Sequence, residues 1–176
     1  MIGLPGAGKS TVAPLLAEGL GFKSVDLDQE IERQANRSIP AILEEQGEER
    51  FRDLESLALD QILNTSGGLV LACGGGVLGR AQNRKALKGG ARVVWLAVDP
   101  STAAARLGPE AAGGRPLLGG APLEQRLVAL LRSRRDEYAA AADLLVETVG
   151  HSPEEIAGRI AAHARASQPR WDISGL

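Results

Sequence analysis

From Leu69 to Cys73 the chain is apolar without interruption, and from Val93 to Ala97 it is so again. Five apolar residues in a row suit a strand covered on both faces, because a half-buried strand would alternate. Residues 24–28 form a third, short strand pattern whose alternation sets Asp26 and Asp28 on one face, and residues 143–147 form a last one. Between these strands the apolar period lengthens. Val12, Leu15, Leu16 and Leu20 predict a helix over residues 8–20, stopped by Gly21; Pro14 inside it removes one early backbone bond. Further helices are predicted over 29–35, from Ile39 behind Ser38 as N-cap, and over 48–64. In the last of these Phe51, Leu54, Ala58 and Ile62 make the apolar stripe, and Arg52 lies beside it. Residues 80–87, 123–138 and 153–165 complete the helical set. Leu127, Leu130 and Leu131 face inward from the second of these, while Arg126, Arg132, Arg134 and Arg135 fall on other faces, most of them solvated.

Strands alternating with helices of this length predict a parallel, doubly wound sheet: a three-layer α/β/α domain with about five strands. With 176 residues the chain has the length of one domain, assigned to residues 1–166, and residues 167–176 form a tail without periodicity. A formal charge of −2 with 24% charged residues shows no basic excess, which argues against nucleic acid as the main partner. No apolar run reaches membrane-spanning length and no leader pattern is visible, so a cytoplasmic, membrane-free protein is expected. The single cysteine, Cys73, excludes an internal disulfide framework and suits a reducing compartment. Aromatic residues are scarce at 3%, so Leu, Val, Ile and Ala are expected to build the core.

Chemistry enters at the first residues. Gly3-Leu4-Pro5-Gly6-Ala7-Gly8-Lys9-Ser10 matches the phosphate-cradling pattern G-x-x-x-x-G-K-[ST] without a mismatch. Pro5, Gly6, Ala7, Gly8, Lys9, Ser10 and Thr11 are the candidate nucleotide-binding residues. Glycines let successive N–H groups turn inward at a helix N-terminus, Lys9 reaches the β- and γ-phosphates, and Ser10 offers its hydroxyl to a magnesium ion. Such a loop should follow a buried strand, yet only Met1 and Ile2 precede Gly3. Either residues belong upstream, or the fold carries a two-residue stub at a cost in stability.

Asp26 and Asp28 arrive at a strand's carboxyl end, where open α/β sheets bind ligands. Gly74, Gly75 and Gly76 follow the apolar run directly and let backbone approach a substrate closely, although three glycines also suit a flexible link. Residues 108–122 crowd glycine and proline around Arg115, the composition of a lid whose arginine closes over transferring phosphate or of a loop whose arginine is merely solvated. Cys73 is read as a small buried apolar residue.

In order along the chain, the GLPGAGKST loop, the VDLDQEIE segment, the GEERFRDLE helix, the GGG turn, the GRPLL stretch and the RRDEY segment together resemble the shikimate kinase family from Met1 to Arg165. Gluconate kinase shares the loop and a similar strand end but not the FRxxE helix with the GGG turn. The resemblance implies transfer of the γ-phosphate of ATP to the 3-hydroxyl of shikimate, with Mg²⁺, in aromatic amino acid biosynthesis through chorismate. It implies that Asp28 orients or deprotonates the acceptor hydroxyl, that Lys9 and Arg115 act on the phosphates, and that Ser10 and Asp26 hold the metal. Arg52 and Arg134 would clamp the shikimate carboxylate, and Gly74, Gly75 and Gly76 would approach the ring. Arg106 would lie against adenine and His151 beside the nucleotide, although a lone histidine near a helix start also suits a solvated neighbour of the cap. Residues 28–64 would form the substrate-binding region and 108–122 the lid of a monomer whose partners are ATP and shikimate. Leu43 departs from the phenylalanine frequent in the family. A gluconate-type kinase and a regulatory nucleotide-binding module that has lost catalysis are the competing expectations; presence of Asp28, Arg52, Arg115 and Arg134 together counts against the second.

Overall fold

A computed structural model of the chain describes residues 1–108 and 122–166. Elements follow in the order α1 (Lys9–Leu20), β1 (Lys23–Asp26), α2 (Leu27–Ala35), α3 (Ile39–Leu63), β2 (Leu69–Ala72), α4 (Ala81–Gly90), β3 (Val94–Ala97), α5 (Pro100–Leu107), α6 (Leu123–Ala141), β4 (Leu144–Glu147) and α7 (Pro153–Ala166).

β1 pairs in parallel with β2, and β3 with β4. The stub of Met1 and Ile2 joins the two pairs. On one side the Met1 amino group donates to Leu71 O at 2.5 Å and Cys73 N donates to Met1 O. On the other, Ile2 N donates to Val94 O and Leu96 N donates to Ile2 O. Among the described residues the sheet therefore runs β1-β2-stub-β3-β4 in parallel, with a two-residue centre. On the N-terminal side of that centre, among the described residues, a cavity of about 740 Å³ opens between β2 and β3, lined by Met1, Leu69, Leu71, Val94, Leu87 and Ile160 among others.

Side-chain alternation along the strands divides the core in two. Met1, Val70, Ala72, Val94 and Leu96 pack on one face with α1, α5 and α7 through Val12, Leu16, Ala103, Ile156 and Ile160. Ile2, Leu71, Cys73, Val93 and Trp95 pack on the other face with α2, α3 and α4 through Ile31, Phe51, Leu59 and Leu87. α6 serves both layers, giving Leu127 to the first and Tyr138 to the second. Three of the few aromatic residues, Phe51, Trp95 and Tyr138, are thus core residues, contrary to the purely aliphatic core expected from composition.

Local chemistry moves several boundaries. β1 ends at Asp26 and not at Asp28, because the Asp26 carboxylate accepts from the N–H groups of Asp28 and Gln29 and starts α2 there. Asp28 consequently lies in the first turn of a helix, not on a strand face shared with Asp26. Gly47, at φ 81° and ψ 170°, breaks α3 into the two helices expected, and Ser38 caps the first by accepting from Ala41 N. α5 adds a helix to those the apolar pattern predicts; Asp99 capping Thr102 N ahead of Pro100 carries the usual start signal. Asp143 stands outside β4 because its carboxylate accepts from Val93 N.

Candidate active site

Gly6 and Gly8 have φ values of 80° and 90°, a region that side chains disfavour, and a Cβ on Gly6 would lie 2.5 Å from Ala103 O. These positions let the loop turn tightly between the stub and α1. Lys9 Nζ donates to the carbonyls of Gly3 and Leu4 at 3.0 and 2.9 Å, which lays the ammonium along the loop it belongs to. Ser10 Oγ donates to Asp26 Oδ2 at 2.7 Å. Two hard oxygen donors are thereby side by side at the mouth of the loop, the donor type that magnesium takes.

The carboxyl end of β2 leads into Gly74, Gly75 and Gly76, and each glycine faces a different side chain. A Cβ on Gly74 would lie 2.7 Å from Asp28 Oδ1; one on Gly75, 3.1 Å from Arg134 Nη1 and 3.3 Å from Gly3 O; one on Gly76, 2.7 Å from Arg52 Nη1. Only glycine leaves room for Asp28 and Arg52 at these distances. A carboxylate from α2, a guanidinium from α3 and another from α6 therefore meet on one stretch of bare backbone, beside the phosphate loop. The glycines are a packed surface, not a flexible link.

Arg52 is held by carboxylates on its own helix. Its Nη1 donates to both oxygens of Glu55 at 3.1 and 3.0 Å, and its Nη2 donates to Glu48 at 3.1 Å. Arg52 is 13% exposed and Glu55 1%, so the pair with Glu55 is largely desolvated. Burial pushes the Glu55 carboxyl up, and the Arg52 charge pulls it back. Glu55 is a site residue beyond those the motifs single out; its signal is the acid three residues after Arg52 in the FRxxE segment, one turn along the same helix.

Arg106 and His151 lie around the loop that follows β4. Arg106 donates to Thr148 Oγ1 at 3.0 Å and Thr148 O at 2.9 Å, and it reaches Gly6 O at 3.5 Å, tying this loop to the phosphate loop. His151 Nε2 is 2.9 Å from Arg159 Nη1 and its Nδ1 is 3.6 Å from Glu155, so α7 holds the ring. Arg115 lies outside the described residues, as does nearly all of the predicted lid. Cys73 is buried, and burial pushes its thiol up, which keeps it protonated and inert. Among the described residues no helix is long and apolar enough to cross a membrane.

A family model for shikimate kinase matches residues 5–165. Shikimate kinase of Thermobifida fusca is 46% identical over 167 residues, covering 95% of this chain and 94% of that protein. A solved shikimate kinase from Acinetobacter baumannii, in complex with shikimate, superposes with a TM-score of 0.88 at 36% identity, covering 94% of this chain and 90% of that one. That from Aquifex aeolicus gives 0.73 at 29% identity, with 94% and 95% covered.

Proposed function

The chain belongs to the shikimate kinase family, and from that membership we propose how its residues divide the work of phosphorylating shikimate with ATP. The observation that carries the assignment is the convergence of Asp28, Arg52 and Arg134 on Gly74, Gly75 and Gly76 next to the phosphate loop.

Arg52 and Arg134 bind the shikimate carboxylate, a task suited to planar guanidinium groups that donate two bonds at once. Glu55 keeps Arg52 aimed. Asp28 accepts the proton of the 3-hydroxyl as its oxygen forms a bond to the γ-phosphorus of ATP; the bond from that phosphorus to the β,γ-bridging oxygen breaks, and ADP leaves with the electron pair. Lys9 exchanges its loop carbonyls for phosphate oxygens. Ser10 and Asp26 would hold Mg²⁺, which when bound with ATP neutralises phosphate charge. Arg106 and His151 line the adenine side, and Arg115 from a lid of residues 108–122 covers the phosphates, with residues 28–64 as the substrate-binding region. A cytoplasmic monomer is the proposed working form.

ADP release with MgATP, compared among shikimate, gluconate and no acceptor, tests the assignment. Release that depends on shikimate supports it; release that depends on gluconate alone overturns it. Hydrogen exchange of residues 108–122 with and without both substrates tests the lid, and exchange unchanged by substrates would remove it.

A further inference from the structure

Tyr138 has no part in the chemistry described so far, yet it reaches the centre of the site. Its side chain is fully buried, its ring lies against Trp95 with centroids 5.6 Å apart and planes tilted by 47°, and its hydroxyl donates to Gly75 O at 2.7 Å. Arg134 stands four residues earlier on α6 and so shares its face. Both side chains meet Gly75: a Cβ there would lie 3.1 Å from Arg134 Nη1 and 3.4 Å from the Tyr138 hydroxyl.

A peptide unit is planar and trans, so its carbonyl and the following N–H point in opposite directions. Holding Gly75 O toward α6 therefore holds Gly76 N–H away from it. Glycine has no side chain to restrict its own backbone, and in a run of three the orientation of each peptide has to be imposed from outside. Burial pushes the Tyr138 hydroxyl up, so it stays a donor throughout the neutral range.

We propose that Tyr138 is a positioning residue for the substrate: through its bond to Gly75 O it fixes the peptide between Gly75 and Gly76 in the orientation that binds shikimate, and it registers that peptide against Arg134. This rests on the assignment of Gly74, Gly75 and Gly76 to the acceptor site. The alternative is a core tyrosine whose hydroxyl is merely satisfied by the nearest carbonyl.

Tyr138→Phe keeps the ring against Trp95 and removes only the hydroxyl. The expected result is a KM for shikimate raised about tenfold, the ratio carried by one net hydrogen bond, with the KM for ATP within about twofold on the same scale. Trp95→Phe, which loosens the ring contact and keeps the hydroxyl, should lower Tm while leaving the shikimate KM in place. In the substrate-free protein the Gly76 amide of Tyr138→Phe should shift in the ¹H–¹⁵N spectrum and exchange faster, a readout independent of turnover. A parent protein inactive toward shikimate would refute the substrate assignment, and the Gly76 amide would still decide the role of Tyr138. A shikimate KM within about twofold of the parent, or an unmoved Gly76 amide, overturns the proposal; so does a Tyr138→Phe protein in which both substrates' KM values rise together.

Discussion

Ser10 Oγ donates to Asp26 Oδ2 at 2.7 Å while the other oxygen of the same carboxylate caps α2 through Asp28 N at 3.0 Å. One side chain thus ends β1, starts the helix that carries Asp28 and stands beside the phosphate loop. Asp26→Asn keeps a good cap and removes the charge. It should leave Tm nearly unchanged while raising the Mg²⁺ concentration for half-maximal activity about tenfold, read from a metal titration at saturating ATP. Asp26→Ala should in addition lose about 1 kcal/mol of stability with the cap. Unaltered metal dependence in the asparagine variant would free Asp26 from the metal role.

Asp28 sits on the first turn of α2 with Oδ1 facing Gly74. Asp28→Asn preserves its shape and abolishes its basicity. Turnover should fall by about a hundredfold or more, whereas the ATP dissociation constant, measured calorimetrically, should stay within about twofold because the phosphate loop is untouched. Undiminished turnover would exclude Asp28 as the base.

Glu55 is buried under Arg52, and breaking such a pair strands the remaining charge. Glu55→Ala is expected to cost about 3 kcal/mol in denaturant unfolding. Glu55→Gln should be milder in stability yet raise the shikimate KM about tenfold, because a neutral amide holds the guanidinium less firmly. A normal KM in the glutamine variant would mean that Glu48 or the bare backbone suffices to aim Arg52.

The Met1 amino group is buried, and burial pushes it below its usual 8.0. Between that lowered value and pH 8.0 the unfolded chain binds more protons than the folded one. The stability contributed by this group is therefore present above pH 8 and is lost as the pH falls toward the lowered value. Urea midpoints should rise from pH 6 to pH 8 in the chain with Met1 as first residue. Adding three apolar β-formers ahead of Met1 would replace the charge and enter the cavity between β2 and β3, raising Tm by about 5 °C and flattening that pH rise. A Gly-Ser extension is the control and should give no comparable gain in Tm.

Much was legible in the sequence because it depends on neighbours along the chain. The apolar runs over residues 69–73 and 93–97 suit strands buried on both faces, and the glycines around Lys9 match the pattern of a phosphate loop. The order of motifs was enough for the family, since each is a local pattern with its own spacing. Tertiary structure decided what depends on contact. The end of β1 at Asp26 follows from a carboxylate capping the next helix, and the burial of Glu55 follows from the way α3 lies against the glycine turn. Tyr138 meets Gly75 across 63 residues of chain, a bond that no periodicity announces. Local patterns set which backbone geometry is cheap, and only packing of distant elements determines which side chains lose water and must find partners.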